Sequence, residues 1–124
     1  MASMATKRLY HSTALLLPDG RVLVAGGGRP SAIHGGADNA NAEIFSPPYL
    51  FQGPRPTITS APASVTYGDK FLVPTPDAAS IDKVRLIRLG SVTHTVNMNQ
   101  RAKVLTFQRQ TGKLKLTVPS DPNT

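Results

Sequence analysis

"KRLYHSTALLLPDGRVLVAGGG" (residues 7–28) holds two apolar segments, residues 14–17 and 22–25, on either side of Pro18, Asp19 and Gly20. Asp-Gly is a strong hairpin signal because both residue types tolerate positive φ, so the stretch predicts a β-hairpin. Its strands are almost continuously apolar rather than alternating, and both of their faces are therefore expected to be covered, as in a sheet stacked between others. A lone hairpin cannot supply that cover. Tyr10 and His11, two metal-capable side chains, stand side by side where the hairpin begins, and nothing in hairpin packing asks for the pair.

Downstream, "GGRPSAIHGGADNANAEIF" is a polar, glycine-rich loop, and "AEIFSPPYLF" (residues 42–51) reads as a further short strand ended by two prolines. The chain divides near Gly53. Beyond it, short strands separated by Pro, Gly and Asp turns run through "GPRPTITSAPASVTYGDKFLVPTP", "KVRLIRLG", "SVTHTVNM", "KVLTFQRQ" and "KLKLTV", with Thr111 and Gly112 turning the last pair. This spacing predicts an immunoglobulin-like β-sandwich. Such a sandwich takes roughly seven strands to close both sheets, whereas only about five or six are legible before the turn-like "PSDPNT", so an incomplete domain is expected.

Composition agrees with an all-β chain: eleven Pro and ten Gly punctuate 124 residues with 6% aromatics. A complete globular domain of this length would bury about 65% of its unfolded surface. There is no cysteine, which removes disulfides, thiolate nucleophiles and Cys-ligated zinc from consideration within these residues. The N-terminal "MASMATKRLY" has no apolar signal-peptide region, and the apolar run 14–17 cannot span a bilayer, so no membrane association is expected. The net charge is +7, with eight basic residues between Lys83 and Lys115. In "KLKLTV", however, Lys113, Lys115 and Thr117 alternate with Leu114, Leu116 and Val118, the pattern of a half-buried strand with a solvated basic face. No recognition helix, aromatic RNA-binding motif or zinc knuckle accompanies the charge, and nucleic acid is not the expected partner.

Three sets of residues could carry chemistry. Gly26, Gly27 and Gly28 follow a strand, but no Gly-Lys-Ser/Thr and no helix pattern follows, which favours a tight turn over a phosphate loop. His34 and Asp38 could ligate a metal, although a lone His in a glycine-rich loop seldom does. The third set is Tyr10, His11 and His94. In "SVTHTVN", Val92, His94 and Val96 would share the apolar face of one strand, and pattern alone favours a hydrogen-bonded core histidine. Tyr10 and His11 would point to opposite faces of a regular strand, so they converge only where the pleat breaks.

"LYHSTALLLPDGRVLVAGGG", "NAEIFSPPYLF", "RPTITSAP", "VRLIRLGSVTHTVNMNQR" and "LTVPSD", in this order, resemble the C-terminal part of the galactose oxidase and glyoxal oxidase family of copper radical oxidases. The combination of "YHS" before the hairpin with "THTVNMNQR" downstream is the specific feature. The resemblance implies that residues 7–52 are the last blade of a kelch propeller and that residues 54–124 are an immunoglobulin-like early set domain lacking its final strands. By position it makes Tyr10 an axial copper ligand and the base that takes the alcohol proton. His11 and His94 become equatorial ligands, the latter on a loop that reaches into the propeller channel. Cu(II) favours tetragonal N and O ligation, which imidazoles and phenolates supply.

The family oxidises primary alcohols, aldehydes or sugars with O₂ to give H₂O₂, is usually secreted, and holds its second electron on a tyrosine cross-linked to cysteine. That Cys-Tyr radical cofactor has no counterpart here, because the chain has no cysteine and Tyr49 and Tyr67 do not match the position of the radical ligand. The resemblance therefore implies part of a copper site that needs the missing propeller blades as partners, and a chain inactive alone. The alternative from another functional class is an immunoglobulin-like module that binds carbohydrate or protein without catalysis.

Overall fold

The computed structural model describes residues 3–28 and 39–123. Nine strands are found among them: β1 (Ser12–Leu16), β2 (Val22–Gly26), β3 (Ala42–Phe45), β4 (Lys70–Pro74), β5 (Val84–Arg88), β6 (Val92–Thr93), β7 (Val96–Asn97), β8 (Arg101–Gln110) and β9 (Lys113–Thr117). The only helical pieces among the described residues are 3-10 turns at Pro48–Phe51 and Ala78–Ser80. The fold is all-β, as the sequence predicts, and no helix among the described residues is long and apolar enough to cross a membrane. The chain forms two compact units, one of Met1–Gly53 with Arg88–Arg101 and one of Pro54–Ile87 with Ala102–Thr124.

The first unit contains the antiparallel sheet β1-β2-β3 and the small hairpin β6-β7. The predicted hairpin is β1-β2, in which Ala14 faces Val24 and Leu16 faces Val22. Its loop differs from a two-residue Asp-Gly turn. The Gly20 amide donates to the Leu17 carbonyl at 2.9 Å and the Leu17 amide to the Arg21 carbonyl at 2.8 Å, and only Gly20 takes positive φ (85°). This is the three-residue hairpin loop in which a left-handed glycine restores strand pairing. Asp19 instead accepts from the Arg21 amide at 3.0 Å and from Arg21 Nε at 2.6 Å. β3 ends before Pro47 and Pro48, and the Tyr49 hydroxyl donates to the Gly20 carbonyl, tying the 3-10 turn to the hairpin loop.

The second unit holds a four-stranded sheet of order β4-β9-β8-β5. Alternation along "KLKLTV" works as expected: Leu114, Leu116 and Val118 are buried while Lys113, Lys115 and Thr117 are half-buried. Leu114 and Leu116 pack with Val73, Ala78 and Leu105, flanked by Phe71, Ile81, Val84 and Phe107. The guanidinium of Arg109 lies 5.4 Å from the centre of the Phe107 ring, donates to the Ile81 carbonyl at 2.7 Å and pairs with Asp82 at 3.0 Å. One of the clustered basic residues is thus engaged in packing.

Two sequence expectations change here. Residues 54–69 form no strand, for Pro54, Pro56 and Pro62 each remove a ladder donor; the Thr59 amide makes a single bond to the Pro74 carbonyl at 2.9 Å. "SVTHTVNM" is not one strand but the hairpin β6-β7, with His94 and Thr95 as its two-residue loop. Truncating the core should separate buried from exposed positions. We expect Leu114→Ala to lower unfolding free energy by about 2–5 kcal/mol, whereas Leu72→Ala, 45% exposed on the other face of the sheet, should cost under about 1 kcal/mol; urea denaturation of the two variants measures both.

Candidate metal centre

A strand sends neighbouring side chains to opposite faces, so convergence of Tyr10 and His11 needs a break in the pleat. The break is present. His11 has φ 63° and immediately precedes β1, and the Ser12 amide closes a short turn on the Leu9 carbonyl at 3.1 Å. Left-handed backbone is uncommon outside glycine but several-fold enriched for His. The consequence is that the Tyr10 and His11 rings stack, with centres 3.9 Å apart and planes at 27°.

His94 arrives from the same unit by a second break. β6 and β7 pair Thr93 with Val96 and Val92 with Asn97, which leaves His94 and Thr95 as the two loop residues, at φ 50° and 69°. Positive φ at both positions is the signature of the type I′ turn that matches strand twist. Thr95 is β-branched, so its conformation is strained by about 1–3 kcal/mol. The loop projects His94 away from the strand faces, and the residue is exposed rather than in the core that alternation favours. Its ring centre lies 4.9 Å from that of His11, edge on at 80°, and 6.5 Å from that of Tyr10.

The hairpin carrying His94 is held close to β1. A Cβ on Gly90 would fall 2.4 Å from Asn97 Nδ2 and 2.9 Å from Leu15 Cδ1. Asn97 Oδ1 accepts from the Ser91 amide at 3.2 Å, bridging the base of the loop. Thr93 Oγ1 stands 2.7 Å from His94 Nδ1. With Nδ1–H donated to that hydroxyl, Nε2 is the nitrogen whose lone pair remains for a metal.

The glycine triplet also acquires a specific role. Gly26 (φ 68°) and Gly27 (φ 85°) end β2 in left-handed backbone, and they do so against the segment leading to Tyr10. A Cβ on Gly26 would lie 2.7 Å from the His11 carbonyl oxygen, and one on Gly27 would lie 2.8 Å from both the Leu9 nitrogen and Arg8 Cβ. The Leu9 amide donates to the Gly27 carbonyl at 3.2 Å. These glycines turn the strand, as expected, but they also allow backbone to approach backbone.

Among the described residues, no group of three or more His, Cys, Asp or Glu side chains could hold a metal ion. The candidate centre is instead two imidazoles and one phenol, a donor set that suits Cu(II) better than a hard cation. His34 and Asp38 lie outside the described residues. Sequence reading missed Arg8, Gly90 and Asn97. A single Arg before an apolar strand carries no burial signal, and the Gly90–Asn97 contact exists only once "THT" is known to be a turn.

Behind the site, Glu43 accepts from the Ala5 amide at 2.8 Å, from the Thr6 amide at 3.1 Å and from Arg8 Nη2 at 3.2 Å. The Ala5 amide is the largest influence and holds the Glu43 carboxyl below the usual value; desolvation opposes it, and the Thr6 amide and the Arg8 guanidinium add to the lowering. A depressed folded-state pKa gives stability that is present above the unfolded value of about 4.3 and is lost as pH falls through the folded one. Acid titration of thermal stability should therefore show a loss below about pH 4.3 that is reduced in Glu43→Gln. Gly27→Ala should destabilise the chain by at least about 1–3 kcal/mol, read by urea denaturation, because neither the φ nor the space admits a side chain.

The galactose oxidase-like early set domain family matches residues 55–124. A galactose oxidase of Gibberella zeae is 41% identical over 121 residues, covering 92% of this chain and 17% of the relative. An aldehyde oxidase GLOX of Vitis pseudoreticulata is 38% identical over 109 residues, covering 80% of this chain and 21% of the relative. A WSC domain-containing protein of Arthroderma benhamiae is 34% identical over 126 residues, covering 100% of this chain and 13% of the relative. The chain thus spans about a fifth or less of the length of these curated relatives. The match covers residues that the sequence assigns to an immunoglobulin-like β-sandwich, the fold of early set domains. With the sequence resemblance and the all-β fold in agreement, this chain belongs to the galactose oxidase-like early set domain family.

Proposed function

We propose that this chain is the C-terminal portion of a copper radical oxidase that converts primary alcohols or aldehydes and O₂ to oxidised product and H₂O₂, and that it supplies Tyr10, His11 and His94 to the copper site. Residues 7–52 are the last kelch-type blade in this reading, and residues 54–124 the early set domain without its final strands. The observation that carries it is convergence. Two separate left-handed breaks bring three rings some eighty residues apart in the chain to centre distances of 3.9–6.5 Å. The rings meet at the surface rather than in an apolar core, since all three are exposed.

His11 and His94 would hold the metal through ring nitrogens, His94 through Nε2 when its Nδ1–H is donated to Thr93 Oγ1. Tyr10 is 51% exposed, and its phenol oxygen is the group that would accept the hydroxyl proton of the alcohol. Copper bound there supplies one-electron redox chemistry. The family's second one-electron site is a tyrosine joined to a cysteine, and this chain has no cysteine. Tyr49 is committed to the Gly20 carbonyl, and Tyr67 belongs to the second unit. The proposal therefore assigns the radical ligand to another part of the longer protein, and this chain holds half a site.

Two outcomes test the reading. Cu(II) titrated into the chain should give a tetragonal EPR signal with nitrogen coupling that loses one nitrogen in His11→Ala and one in His94→Ala; a spectrum unchanged by either substitution would reject the site. With galactose or methylglyoxal as substrate, the copper-loaded chain should release no more H₂O₂ than a copper-only blank, and release above that blank would reject the half-site assignment.

A further inference from the structure

Arg8 is the one buried charged residue among the described residues, with its side chain 1% exposed. Nη1 donates to the Gly26 carbonyl at 2.9 Å, and Nη2 donates to Asn41 Oδ1 at 2.6 Å and to Glu43 Oε1 at 3.2 Å. The guanidinium therefore joins the end of β2 to β3 and the residue just before it. Other bonds follow the same line. Asn41 Nδ2 donates to Thr6 Oγ1 at 3.2 Å, and Asn39 Nδ2 donates to the carbonyls of Lys7 at 3.2 Å and Gly27 at 3.3 Å. Together with the amides of Ala5 and Thr6 on Glu43, these contacts hold the chain from Ala5 to Leu9 alongside the sheet. Tyr10 and His11 come next.

We infer that Arg8 is a positioning residue for the Tyr10–His11 half of the metal centre. The left-handed turn at His11 can aim its ring at His94 only if the chain enters that turn at a fixed place and angle. The planar fork of Arg8, locked to three acceptors on β2, on β3 and just before β3, fixes both. A lysine would carry the charge without the fork and could not reproduce the geometry. Stability alone does not account for the group. Arg8 Nε is buried with no acceptor among the described residues, a penalty that an apolar side chain of similar volume would avoid. What the guanidinium adds is direction. The role in metal binding rests on the copper reading proposed above, but the geometric role can be measured without copper.

The test uses the whole chain as wild type, Arg8→Met, Arg8→Lys and Asn41→Ala. In the metal-free protein, NMR should show ring-to-ring NOEs linking Tyr10 and His11 with His94, and cross-strand NOEs between Ala14 and Val24. Arg8→Met and Arg8→Lys should keep the cross-strand NOEs and lose the ring-to-ring ones, with Asn41→Ala weakening them while leaving Glu43 paired. Cu(II) affinity should fall about 10- to 100-fold in both Arg8 variants, the range for outer-shell residues. Ring NOEs that persist in Arg8→Met overturn the inference. So does their loss only together with the cross-strand NOEs in every variant, which would make Arg8 merely structural, and so does their absence from wild type. A wild type with the ring NOEs but no nitrogen-ligated copper rejects the copper reading alone, and the NOE pattern of the variants still decides the role of Arg8.

Discussion

The alternation of a β-strand forbids two consecutive side chains from meeting at one point, and the grouping of Tyr10 and His11 with His94 depends on the chain abandoning that alternation at His11. The left-handed residue there is not an isolated irregularity. It is backed by Gly26 and Gly27, where any side chain would collide with the backbone of residues 8–11. It is entered from a segment whose amides are taken up by Glu43 and whose guanidinium is buried against β2 and β3. Across from it, His94 reaches the same point through its own left-handed pair, with Gly90 permitting the approach of its hairpin to Leu15. Glycines that admit close backbone approach and a buried Arg8 paired with a half-buried Glu43 thus adjoin three aromatic rings that are themselves exposed.

The two units are stabilised by different means. The second has an apolar core built from period-two alternation, in which Val73, Leu105, Leu114, Leu116 and Val118 are each at most 7% exposed. The first has no Val, Leu, Ile, Phe or Met in the buried class among its described residues. Its apolar strands β1 and β2 are mostly half-buried on both faces, because three strands in one sheet cannot cover either face completely. The side chain most deeply enclosed in it is charged, that of Arg8. Polar networks of this kind are directional where apolar packing is not, and this one fixes the course of the chain into the turn at His11.

Much of this was legible in advance, for reasons that are local. The β1-β2 hairpin follows from Pro18-Asp19-Gly20 between apolar runs, although its loop is a three-residue form with a left-handed Gly20 alone. The end of β3 follows from Pro47 and Pro48, and the faces of β9 from strict alternation in "KLKLTV". Residues 54–69 misled because β-rich composition and turn residues do not reveal how many ladder donors the prolines have removed. His94 misled for a related reason: Val92, Thr93, His94, Thr95 and Val96 have strand propensities throughout, and only the pairing of β6 with β7 turns the middle two into a loop.

The sequence by itself determined the all-β class, the order of the elements and, through the resemblance carried by "YHS" and "THTVNMNQR", which three side chains to examine. Those features depend on neighbours within a few residues or on a pattern read along the line. Only the tertiary structure decided that Tyr10, His11 and His94 share one place, that Gly26 and Gly27 serve close backbone approach, and that Arg8 is buried. Each of these depends on a backbone dihedral or a contact between residues some twenty to eighty positions apart, and periodicity is blind to both. The pleat break at His11 is invisible in "YH", since His is permitted in the left-handed region without being required there.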